Sequence, residues 1–325
     1  MRLNPFLSAM MLVYTVAAAM PVGAWAQCCS PGNPIGGRSS LGALPRGEGK
    51  ITATYSHSRS DAYYQGSTVV DPNFVEGGFF HHISLSGAYA VSDRVTVESE
   101  VTYFASKVQD YVDGALPASR RGSGLGDWSA TINVNLLRDH RTRWELTSGI
   151  GLKYPLGTYR QERDGALLPL DVQPTTGAVD FRHSLFLYKG FLETGFRLFA
   201  VNHVDVKTAN PDGYRYGNLL STSVFGSFHV GLRWDAALQV RSEIRARDQR
   251  QSGPVPVTGS TKLFLSPQLS HAVSQALVVT TLVDIPIYQY YRGAQLGSTI
   301  GFSIGLIRRF GLGTLDTDDR PPIFR

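Results

Sequence analysis

The chain has 325 residues, 42% of them hydrophobic, 11% aromatic and only 18% charged, with a formal net charge of +5. Disordered chains carry more charge and fewer aromatics, and past the N-terminus no stretch approaches the roughly 18 uninterrupted apolar residues of a membrane-spanning helix. With both classes excluded, what remains is a large soluble β domain or a β-barrel whose apolar surface is concealed by alternation. The basic residues are scattered rather than gathered into a stripe, so no nucleic-acid partner is expected.

At the N-terminus Arg2 supplies a positive charge, residues 5–22 are apolar and small, and Ala24-Trp25-Ala26 has the small-x-small form that a signal peptidase accepts. This predicts a signal peptide over residues 1–26. The segment 27–48 follows, with the vicinal pair Cys28-Cys29, three prolines and no sustained alternation. It reads as a periplasmic linker, or as a plug folded into a lumen. The residues before Cys28 lack the aliphatic and small side chains of a lipidation site. In an oxidising compartment the two thiols can form a strained disulfide, pair with another chain or hold a soft metal. No third cysteine and no His or Met cluster accompanies them, which favours a structural role with no metal and no cofactor.

From Lys50 onward the dominant signal is period two over segments of ten to fourteen residues, longer than ordinary globular strands. A tilted membrane-crossing strand needs about nine to eleven residues. Trp128, Ala130, Ile132, Val134 and Leu136 share one face, with Asp127, Ser129, Thr131, Asn133 and Asn135 between them. The spacing predicts twelve strands, at 49–60, 79–91, 94–106, 125–137, 142–154, 179–189, 191–203, 218–230, 232–246, 260–271, 274–287 and 297–310. Five connections are short. Six are longer and rich in Gly, Pro and Asp: 61–78, 107–124, 155–178, 204–217, 247–259 and 288–296.

Alternating short and long connections belong to outer-membrane barrels, and an even strand number puts both termini on the periplasmic side. The expected fold is therefore all-β, a transmembrane antiparallel up-and-down barrel of about twelve strands over residues 49–310, with a loose tail at 311–325. A soluble sandwich or jelly roll would alternate too, but with shorter strands and no such loop asymmetry. Aromatics gather at strand ends, as interfacial girdles require. Pro155, Pro267 and Pro286 lack an N–H for the ladder and should mark bulges or strand ends.

The last strand, Thr299 to Phe310, carries Ser303, Gly305 and Phe310 in a polar-x-Gly…aromatic arrangement. That arrangement resembles the signal by which the barrel-assembly machinery recognises its clients. Arg308 departs from the pattern at a position that is usually apolar. Three further passages, Gly124-Leu125-Gly126-Asp127, Gly151 through Gly157, and Leu263 through Leu296 with its Ser266-Pro267 and Ile285-Pro286, resemble the outer-membrane transporter family labelled as the meta-pathway of phenol degradation. The likeness covers most of residues 50–310. It implies a closed barrel in outer-membrane lipid that passes small molecules, aromatic or otherwise apolar ones among them.

The alternation points Glu98, Glu100, Asp127, Glu145, Lys153, Arg197, Arg241, Glu243, Arg245, Lys262 and Asp284 inward. Buried charges are costly unless paired or wet, so these residues either brace a narrow interior or line a water-filled path. No catalytic motif stands out. His82-Ile83-Ser84 resembles the His-x-Ser of outer-membrane phospholipase A, but here both side chains belong to the lumen set and no Asn-Gly follows. The expectation is a channel rather than an enzyme, with a structural or surface-interaction barrel as the alternative.

Overall fold

The computed structural model describes residues 44–71, 75–111, 119–191 and 193–311. The expected signal peptide, Cys28-Cys29, most of segment 27–48 and the tail beyond Gly311 lie outside the described residues.

Twelve long antiparallel strands form the wall: β1 Gly49–Ser60, β2 Val75–Ala90, β3 Val95–Tyr111, β4 Ser119–Asp139, β5 Trp144–Pro155, β6 Asp180–Gly190, β7 Arg197–Val206, β8 Leu219–Val230, β9 Trp234–Arg245, β10 Ser260–Ala272, β11 Leu277–Gly297 and β12 Ile300–Phe310. Each pairs with its neighbours in sequence. β1 also pairs with β12, Gly49 opposite Phe310 through Arg59 opposite Ile300, which closes the sheet on itself. The fold is thus the closed up-and-down barrel, with no free edge to template aggregation.

Over most of the wall two side-chain sets separate. Ile132, Val134, Ile150, Leu152, Leu238, Val240 and Ile304 are exposed on the outer face, while Asn133, Asn135, Thr147, Ser223, Gln239 and Ser303 between them are buried on the inner one. An apolar exterior over a polar interior is what hydrocarbon surroundings select, because lipid cannot hydrogen-bond a polar side chain. At one end the connections are short: residues 91–94, 140–143, 191–196, 231–233 and 273–276. Gly231 opens the tightest of them at φ 70°, a left-handed conformation open to glycine at no steric cost.

The differences from the sequence expectation concentrate in three places. β7 begins at Arg197 and runs to Val206 rather than spanning 191–203. β11 continues to Gly297, so residues 288–296 are strand and not loop, and this extension pairs with a short hairpin, Ala62–Gly66 and Thr68–Val70. Most of 107–124 is also strand, since β3 and β4 extend to Tyr111 and from Ser119.

The prolines divide. Pro155 ends β5. Pro286 sits opposite Phe264 at a register shift that leaves Ile287 as an extra residue. Pro267 lies inside β10 opposite Leu238 of β9, at neither a bulge nor an end. There the β10–β11 ladder skips Ser266 and Pro267 and resumes in the same register at Gln268. The missing N–H is accommodated by a local gap in one ladder.

Candidate functional site

The lumen is built from the inward positions of the strands, so its chemistry follows from the pleat. At the level of β4 to β7 six charged side chains form a continuous chain. Lys153 contacts Asp127 at 2.8 Å and Asp180 at 2.9 Å, Lys207 contacts Asp180 at 3.1 Å and Asp205 at 3.3 Å, and Arg182 grips Asp205 through two bonds of 2.6 and 3.0 Å. Three cations and three carboxylates alternate, so the group is formally neutral. The Thr175 hydroxyl donates to Asp127 at 2.5 Å, and the Thr176 hydroxyl accepts from Lys153 at 2.6 Å. Alternation of sign and a full set of partners are what make charges tolerable away from bulk water.

A second neutral group joins β9, β10 and β11. Arg241 pairs with Glu243 and, at 3.2 Å, with Asp284; Lys262 lies 3.5 Å from Glu243. The Arg241 guanidinium lies 4.2 Å from the Phe264 ring centroid, and Ser266 donates to Asp284. Nearer the short-turn end Arg197 meets Asp235 at 2.5 Å, and Asp235 also meets His229 at 2.7 Å. Glu145 takes Arg138 at 3.8 Å and the Asn135 amide at 3.2 Å. Glu98 is aligned through Ala88 with Lys50 of β1, and Glu100 and Arg245 line the open part of the lumen. The eleven inward candidates thus fall into two tight networks, two pairs at the short-turn end, Glu98 level with Lys50, and Glu100 and Arg245 at the cavity.

That cavity has a volume of about 230 Å³ and is lined from almost every side of the wall. Serines dominate its β1, β2 and β12 side, with Ser56, Ser58, Ser84 and Ser303, and the charged chain forms the other. His82 and Ser84 both face it, turned away from lipid. His81, on the opposite face, packs outward against His57 with ring centroids 4.5 Å apart and accepts or donates a 2.5 Å bond with Tyr55. Toward the short-turn end the cavity gives way to packed side chains. Thr96, Ser223, Gln239 and Ser266 are at most 1% exposed, and Phe186, Tyr188, Phe199, Val201 and Phe225 form an apolar cluster on the inner face of β6 to β8.

The cavity is bounded at the other end by the β5–β6 connection, residues 156–179, which folds into the barrel mouth. Its one turn of 3-10 helix, Leu170–Val172, packs against β3 and β4, and Leu168, Val172, Gln173 and Thr175 are buried. Gln173 pins this connection to itself: its amide donates to the carbonyls of Leu168 at 2.8 Å and Gln161 at 3.2 Å, and its side-chain oxygen accepts from the Gln161 N–H at 2.8 Å. Gln161 in turn exchanges bonds with the backbone of Ser123 on β4, at 2.9 and 3.2 Å. Lys107 of β3 donates to the Gln173 carbonyl at 2.8 Å. Gly122 faces the Val172 carbonyl at a distance that leaves no room for a side chain. Asp171 lies beside Lys107, Asp248 and Arg245, and desolvation raises its carboxyl above the ordinary carboxylate range.

Sequence reasoning missed Asp180, Arg182, Asp205, Lys207 and Lys107, as well as this inward loop. Asp205 fell in an expected connection because that strand was expected to end at 203 and not at Val206, and Lys207 lies one residue beyond it. The residues expected to carry an assembly signal stand on the last strand: Ser303 and Gly305 point inward, where Ser303 bonds Ser56 at 2.9 Å, and the exposed Phe310 ring lies across Gly49 at the seam.

The closed wall, apolar band and polar lumen define a twelve-stranded β-barrel of the outer-membrane kind. Comparison with solved structures agrees. An outer membrane channel from Pseudomonas putida F1 superposes with a TM-score of 0.65 at 15% identity, over 87% of this chain and 100% of that one. The NanC porin gives 0.45 at 10% identity over 79% of this chain and 98% of its own, and the KdgM porin in complex with disordered oligogalacturonate gives 0.42 at 8% over 80% and 99%. The first of these likenesses is one of fold. No family model and no curated protein matches the chain.

Proposed function

We propose that this protein is a passive outer-membrane channel for small polar molecules. The observation that carries this reading is the 230 Å³ cavity, ringed by serine hydroxyls and paired charges inside a wall that is apolar outside. A solute passing it exchanges water for fixed hydroxyls and ion pairs whose charges already have partners, so binding is weak enough for release. In this reading residues 1–26 direct export and the long connections face outward. Both termini are periplasmic, with 27–48 and 311–325 as periplasmic segments, and Ser303, Gly305 and Phe310 meet the assembly machinery. The resemblance to the phenol meta-pathway family supports an aromatic or apolar body on the solute, and the lining supports a polar group on it.

The test is single-channel conductance of purified protein in planar bilayers, beside a version lacking residues 27–48. Steady openings of either are expected. A second reading, a barrel that carries no solute and serves as a structural or surface-interaction protein, draws on the packed short-turn half, where inward Gln239, Thr96 and Ser266 are 0% exposed. Silence of both versions, in protein that migrates as a folded heat-modifiable species, would favour it.

A further inference from the structure

On the far side of the Leu168–Gln173 segment lies a second cavity, of about 440 Å³, bounded by the β5–β6 connection and by the connections 207–218 and 246–259. Leu170, Asp171 and Gln173 line both cavities, so one stretch of chain separates the two. The outer cavity has an apolar floor, Leu167 to Leu170, and Tyr159 and Tyr214 stand over it. Its charges are not equivalent. Asp212 is engaged twice, by Arg160 at 3.2 Å and by the Tyr159 hydroxyl at 2.6 Å. Arg250 is exposed, its guanidinium 5.3 Å from the centroid of the Tyr214 ring, and no carboxylate pairs with it among the described residues. The ring beneath it is fixed, because the Tyr214 hydroxyl donates to Asp248.

We infer that this vestibule is a recognition site for small organic acids, with Arg250 holding the carboxylate and the Leu167–Leu170 floor and tyrosine faces taking the body. A guanidinium laid on an aromatic ring presents a planar fork of donors that fits a carboxylate in two parallel bonds. An inorganic anion would leave the apolar floor wet, and a neutral hydrocarbon would leave the cation without a counter-charge. Both parts of the site are used only by a molecule that has both. The site deepens the channel reading and rests on it for its consequence: an acid collected here stands one loop segment away from the lumen.

Equilibrium dialysis of benzoate against detergent-solubilised protein tests the site directly, with acetate as the probe without a body and benzyl alcohol as the probe without a charge. Benzoate is expected to bind at least about tenfold more tightly than either. Arg250→Gln should reduce benzoate to the level of benzyl alcohol, and Arg250→Lys should keep part of the difference. In bilayers, benzoate on the long-loop side should lower the potassium chloride current. Equal binding of the three probes, or benzoate binding unchanged in folded Arg250→Gln protein, would overturn the assignment. Silent bilayers with selective dialysis would remove the channel and leave the site; steady current with no selective binding would remove the site and leave the channel.

Discussion

Val134 and Asn133 are adjacent in sequence and belong to different solvents: Val134 is 38% exposed on the outer face, and Asn133 is 8% exposed on the inner one. Val134→Arg puts a cation against hydrocarbon and is expected to cost about 2–4 kcal/mol, read as a lowered heat-modification midpoint and poorer assembly. The matched control must sit where the lumen has room. Asn133 does not: it faces Thr96, which is 0% exposed, and a side chain on Gly149 would collide with it. Ser129 lines the cavity beside Glu100 and suits the purpose. Ser129→Arg is expected to assemble as the parent does; equal damage at 129 and 134 would refute the assignment of faces. A second prediction concerns Asp180, the carboxylate shared by Lys153 and Lys207. Asp180→Leu leaves two cations short of a partner in a half-dry site, which costs about 3–5 kcal/mol when a buried pair is broken, and thermal unfolding of the barrel measures it. Asp171 differs in sign. Its raised carboxyl binds a proton more readily in the folded than in the unfolded chain, so ionisation destabilises the fold and stability falls as pH rises through the raised value. Asp171→Asn should therefore stabilise the barrel at neutral pH, by an amount that shrinks toward pH 4.

Elements are legible in this sequence where the two faces differ, and β4 and β5 are the clear case, with Ile132 and Val134 outside and Asn133 and Asn135 inside. They fade where the faces agree. On β6 to β8 the inward positions hold Phe186, Tyr188, Phe199, Val201 and Phe225 while Leu187, Leu198 and Val224 point outward. With apolar residues on both sides the period-two signal vanishes, and β7 slid toward its preceding turn. Asp205 of the charged chain was hidden for that reason, whereas Asp180 stands at the start of β6 inside the expected strand and Lys207 lies just past β7. The inward connection 156–179 was illegible for a different reason: its hold on β4 runs through Gln161, Gln173 and a bare Gly122, a combination with no periodicity at all. That hold is testable on its own. Gln173→Ala removes bonds to three backbone groups of the connection, each worth about 1 kcal/mol net, so local opening should rise at least about fivefold. Hydrogen exchange at the Leu168 and Val172 amides, which bond to the Gln161 and Pro169 carbonyls, reports it. Unchanged exchange would mean that Lys107 and the fit against Gly122 hold the connection without Gln173.

Across the whole molecule the lumen is narrowed twice in series. The Leu168–Gln173 segment borders one end of the 230 Å³ cavity, and the packed layer around Phe199, Phe225 and Gln239 lies toward the other. Resistances in series add, so the narrower level sets the current and relief of the other one alone is nearly silent. Between the two levels runs the charged chain, whose Arg182 and Asp205 stand on the same strands as Phe186 and Phe199. This leads to a specific pattern of conductance rather than a single value. Gln173→Ala should loosen the first level and Phe199→Ala should thin the second; if neither is solely limiting, each alone should raise single-channel conductance by less than about twofold, and the double variant by more than the product, because relief of one of two resistances in series leaves the other in control. Full relief from Phe199→Ala alone would mean that the inward connection already passes ions freely. Full relief from Gln173→Ala alone would mean that the aromatic layer is a porous wall, and the vestibule and its connection would then govern entry by themselves.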